Sequence, residues 1–127
     1  MIFLLLLILL SGFFEGLMDR IQFHYNGSLF SKLKNQVFWN PSISWKNKWK
    51  LGDPQKGPKF FMSTTLFVFI TDAWHLFKFI RNTLIFISLG FLSFRSDDFY
   101  LLSFILLISR ILYGVGFWLS YKKMFNL

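Results

Sequence analysis

Residues 1–18 read MIFLLLLILLSGFFEGLM, and the first charged side chain in them is Glu15. At about 1.5 Å per residue a helix of this length rises roughly 27 Å, close to the roughly 30 Å hydrocarbon core of a bilayer. The stretch is therefore read as a membrane span. A cleaved leader would carry basic residues before the apolar run and a small-x-small site after it. Neither is convincing here, so the segment is expected to persist as a helix.

Outward from this span the chain keeps the same character. Hydrophobic residues make up 54% of its 127 positions, and its mean hydropathy is +0.49. Its charges crowd into a few stretches, a distribution that suits a lipid solvent better than water. Residues 60–94 are again apolar but are interrupted by Asp72, His75, Lys78 and Arg81. A single helix over residues 63–94 would be about 48 Å long, more than a bilayer core accepts. Residues 76–94 are thus taken as the embedded part and 60–75 as an interfacial segment. Two short spans in place of one are the alternative. After Asp97 and Asp98, residues 99–119 form the last apolar run, which contains Arg110 and leads into Tyr121, Lys122 and Lys123. The expected fold is an all-α integral membrane protein, one membrane domain over residues 1–127, with about three transmembrane helices and four as the alternative.

The formal net charge is +8, and eight of the fourteen Lys and Arg residues lie between Arg20 and Lys59, where Asp53 alone opposes them. With three spans, this loop and Lys122-Lys123 share one side while Asp97-Asp98 lies on the other, as the positive-inside rule prefers. The expected placement is the cell membrane, N-terminus out and C-terminus cytoplasmic.

The basic loop, residues 19–59, joins spans one and two. Asn26-Gly27, Asn40-Pro41, Gly52-Asp53-Pro54 and Gly57-Pro58 punctuate it and forbid one long helix. Asn26-Gly27-Ser28 fits a glycosylation pattern but is read as a turn. Trp rings favour the head-group zone and lysines favour anionic phosphates. Trp39, Trp45, Lys46, Lys48, Trp49 and Lys50 are therefore the candidate lipid-interface residues, and anionic head groups the expected partners. Single-stranded nucleic acid is disfavoured, because one short patch tethered to three spans lacks a groove.

The absence of cysteine excludes disulfides, thiolate metal sites and cysteine nucleophiles. No phosphate-binding loop, nucleophile elbow or H-E-x-x-H occurs. What remains is a set of polar residues inside apolar runs. Gly12, Glu15, Gly16 and Asp19 follow three- and four-residue spacing and share one helical face, which should meet protein. Arg110 and Gly114 share a stripe on the last span. An arginine at that depth needs a partner, and Glu15 or Asp19 is the expected one. Either an ion pair or a packing face, used within the chain or toward a membrane-protein partner or second copy, follows from these residues. Asp19, His24, Asp72 and His75 are ligand types for a zinc-like ion, and their convergence would make a metal-dependent hydrolase or transferase acting on a lipid-like substrate. The identity of any cofactor is otherwise open.

Phe38-Trp39-Asn40-Pro41, Ser44-Trp45-Lys46-Asn47-Lys48-Trp49, Gly52-Asp53-Pro54, Ser63-Thr64-Thr65 and Thr71-Asp72-Ala73-Trp74-His75 together resemble a family of small uncharacterised bacterial multispan membrane proteins. The resemblance covers roughly residues 16–79. It implies a shared membrane architecture and assigns no catalytic residue. The leading functional expectation is a non-catalytic accessory or structural subunit anchored by its basic aromatic loop. The alternatives are the metal-dependent enzyme and a small lysis or permeabilising protein.

Overall fold

The computed structural model describes residues 1–93 and 99–125. Asp97 and Asp98, the expected turn between the second and third spans, lie outside the described residues. The chain is all-α. Helix α1 covers Ile2–His24, two single-turn helices follow at Gln36–Trp39 (α2) and Pro41–Ser44 (α3), and the long helices α4 and α5 cover Ala73–Ser93 and Phe99–Trp118. A π-helical continuation, Leu119–Met124, extends α5.

Among the described residues three stretches are long and apolar enough to cross a membrane: Ile2–Gly27, Ala73–Leu92 and Tyr100–Lys122. The four-span alternative finds no helix to carry it, because residues 60–72 are turns with one 3-10 turn at Val68–Ile70. Two boundaries move. Helix α1 runs on past residue 18 through Asp19 and Arg20, since nothing before Asn26-Gly27 breaks it. Helix α4 begins at Ala73, inside the segment expected to be interfacial, because Asp72 caps it there: the Asp72 carboxylate accepts the His75 backbone N–H at 2.9 Å.

Helix α1 is the hub. It packs along both α4 and α5, which scarcely meet each other. Phe3 stacks edge-on with Phe91, and Phe14 lies against Phe77, so α4 runs antiparallel to α1. Gly12 lies against Tyr113 and Gly16 against Phe117, so α5 runs parallel to it. The long loop, the start of α4 and the end of α5 consequently gather at one end of the bundle. Outward faces of α4 and α5 expose Phe86, Leu107 and Ile111, the apolar exterior expected where lipid is the solvent.

The tightest core sits at this loop end. Leu17, Met18 and Ile21 of α1 close on Ala73 and Phe77 of α4 and on Phe30 from the loop. Phe30 stacks on Trp39 at 5.3 Å and on Phe125 at 5.1 Å between ring centroids. Burying such rings contributes about 1.5–3 kcal/mol each, so the loop is held on the bundle by one aromatic plug. Further along, Lys50 N–H donates to Gly57 O at 3.0 Å and Lys59 N–H to Lys48 O at 2.9 Å around the Trp49–Pro58 bridge. Ser63 Oγ donates to Lys48 O at 2.7 Å and Asn47 Nδ2 to Thr71 O at 2.5 Å. These bonds tie the middle of the loop to the chain that enters α4.

Candidate functional site

The face of α1 that carries Gly12, Glu15, Gly16 and Asp19 meets protein on both sides. A methyl group on Gly12 would overlap the Tyr113 carbonyl, and one on Gly16 would overlap Ser120 Oγ. The matching glycine on α5 is Gly116, where a methyl group would overlap the Leu9 carbonyl. Gly116 and Ser120 thus form the small-residue stripe that receives Gly12 and Gly16. Gly114 is not at that seam: among the described residues, what comes near its missing side chain from outside the local helix backbone is an Arg110 guanidinium nitrogen at 4.0 Å. The spacing Gly116-x-x-x-Ser120 was present in the sequence and identifies this stripe when glycine and serine are read as one small class.

The expected ion pair between Arg110 and Glu15 or Asp19 is corrected. Glu15 pairs with Arg81 of α4 instead, and both side chains are largely buried. The reason is register. Helix α4 runs antiparallel and brings Arg81 level with Glu15, whereas Arg110 precedes Tyr113 by most of a turn and begins nearer the Met1 end of α1. Tyr113 lines the same cleft as Glu15 on the α5 side. Arg110 is exposed and makes no ion pair among the described residues.

Two clefts flank the α1 carboxylates. One, of about 350 Å³, lies between α1 and α5 and is lined by Glu15, Asp19, Arg110, Tyr113, Gly114 and Phe117. The other, also about 350 Å³, opens toward α4, where Trp74, Lys78 and Arg81 face Glu15 and Asp19. Lys78 Nζ sits 4.8 Å from the centre of the Trp74 ring, a cation–π contact that holds the ammonium at the rim.

The four proposed metal ligands do not converge. Asp19 faces the clefts just described. His24 is exposed and packs edge-on to Tyr121 at 5.5 Å. Asp72 and His75 do meet: His75 Nδ1 lies 2.7 Å from Asp72 Oδ2, and the Thr71 hydroxyl donates to the same oxygen at 3.2 Å. With the His75 backbone N–H on its other oxygen, the buried Asp72 carboxylate is satisfied from all sides and its work is to cap α4. No group of three or more His, Cys, Asp or Glu side chains able to hold a metal ion occurs among the described residues. The metal centre expected from Asp19, His24, Asp72 and His75 is therefore withdrawn: three-residue Asp-His spacing served a helix cap.

The six loop residues separate into two groups. Trp39 belongs to the core through Phe30 and Phe38. Trp45, Lys46 and Lys50 are exposed, while Lys48 and Trp49 are half-buried. Lys46 Nζ lies 5.6 Å from the Trp45 ring and Lys48 Nζ 5.9 Å from the Trp49 ring. Lys46, Asn47, Trp49 and Lys59 also line a depression of about 530 Å³ with Val37, Ile43 and Leu51. Comparison with protein-family models, with curated proteins and with solved structures found no match.

Proposed function

We propose that this chain is a small multispan membrane protein of the accessory or structural kind, whose basic aromatic loop anchors it to anionic head groups on the cytoplasmic face of the cell membrane. The observation that carries this reading is the outer surface of the loop end. Leu51 is 88% exposed, Phe61 79% and Trp45 45%, and they alternate with the exposed Lys46, Lys50, Lys56 and Lys59. Large apolar side chains held out among lysines are poorly placed in water and well placed at a head-group layer, where rings and aliphatic groups enter the boundary and ammonium groups meet phosphates. The N-terminus lies outside in this reading, and Lys122 shares the cytoplasmic side with the loop.

The chain contains no cysteine, so a single Leu51→Cys variant can be labelled with an environment-sensitive fluorophore after reconstitution. Emission should shift to the blue in vesicles that contain phosphatidylglycerol, and the shift should shrink in high salt. A water-like emission in every lipid would sink the anchoring reading. An impermeant thiol reagent should label the same position in cells only after the inner face is opened.

A further inference from the structure

The cleft between α1 and α5 contains an acidic and a basic side chain that the described chain leaves without each other. Arg81 is committed to Glu15. That leaves Asp19, half-buried, and Arg110, exposed, both lining the same cleft of about 350 Å³ and neither in an ion pair among the described residues. Ionised side chains inside a membrane span are costly unless something pairs with them.

The direction of Arg110 says where its partner comes from. Side chains on a helix lean toward its N-terminus. The Arg110 guanidinium instead lies beside Gly114, one turn toward the loop end, where the missing side chain leaves it a path. It therefore reaches toward the head groups of the leaflet on the loop side. Asp19 lies nearer the loop end on the opposite wall, and Tyr113 and Phe117 close the cleft with aromatic surface.

We infer that this cleft binds the head group of a zwitterionic phospholipid bearing a primary ammonium, with its phosphate on Arg110 and its ammonium on Asp19. Charge complementarity selects this class. Among the described residues that line the cleft, an anionic head group would meet the Arg110 guanidinium and then the Asp19 carboxylate. A phosphate with an ammonium matches the Arg110 and Asp19 charges of this cleft one to one. A trimethylated ammonium lacks the N–H donors that Asp19 can accept. The site is distinct from the loop surface, whose lysines face anionic lipid.

The test is native mass spectrometry of the full chain from detergent, incubated with equal amounts of phosphatidylethanolamine, phosphatidylcholine and phosphatidylglycerol. Phosphatidylethanolamine should be retained about tenfold over the other two at one site per chain. Arg110→Gln and Asp19→Asn should each remove that preference. Gly114→Leu, which blocks the path of the guanidinium away from the α1 seam, should do the same with an unchanged unfolding midpoint. Lys46→Gln with Lys50→Gln should lower phosphatidylglycerol adducts alone, so failure of the loop reading and failure of this one are separable. Equal retention of the three lipids by the wild type, or a preference that survives Asp19→Asn and Arg110→Gln, would overturn the assignment.

Discussion

Glu15 of α1 and Arg81 of α4, 66 residues apart, form an ion pair across the helix interface. Because both are largely buried in a span, removing one partner leaves the other stranded. Glu15→Gln should cost about 3 kcal/mol in chemical unfolding from micelles. The double variant Glu15→Leu/Arg81→Met should recover most of the loss, since apolar replacement of both partners removes the stranded charge. Equal destabilisation in the single and double variants would show that the pair is not what holds α4 in register.

The seam between α1 and α5 makes a prediction about three glycines that look alike in the sequence. Gly12→Leu and Gly116→Leu place side chains into facing backbone and should each destabilise by about 3 kcal/mol or separate the helices outright. Gly114→Leu lies off the seam and should leave stability within about 0.5 kcal/mol of wild type. Thermal unfolding in a mild detergent orders the three; a large loss at Gly114 would place α5 in a different rotation.

The spans were legible because apolar runs of bilayer length have few other readings, and Gly12 and Gly16 because three- and four-residue spacing fixes a helical face. What sequence alone did not supply was register between helices. Arg81 and Arg110 are each an arginine in an apolar run, and only the antiparallel course of α4 brings the former to Glu15. The same limit explains the metal ligands: Asp72 and His75 are neighbours within one turn, but Asp19 and His24 are directed elsewhere by the rotation of α1. Phe30 is not legible either, because nothing in the spacing of the loop's aromatic residues marks it from the rest, yet it anchors that loop in the core.

The Asp72 cap predicts a local effect. Asp72→Ala removes the acceptor for the His75 backbone N–H and for His75 Nδ1, which should cost about 1–2 kcal/mol. Hydrogen exchange should speed up at Trp74 and His75 ahead of the rest of α4. Since Asp72 and His75 have no third ligand among the described residues, added zinc or a chelator should leave the unfolding midpoint where it was. A rise of several degrees with stoichiometric zinc would contradict the capping role.

Leu51 separates fold from function. Its φ of +52° lies in the left-handed region, which costs an L-residue about 1 kcal/mol, and its side chain is almost wholly exposed. Asparagine tolerates that conformation better. Leu51→Asn should therefore raise stability in micelles by about 0.5 kcal/mol, as read by denaturant midpoint. The same change removes an apolar side chain from the surface that is proposed to enter the head-group layer. In vesicles it should weaken burial of a fluorophore placed at Phe61→Cys. Gains in both measurements would mean that Leu51 is strained for no membrane purpose, and the anchoring surface would have to be sought elsewhere on the loop.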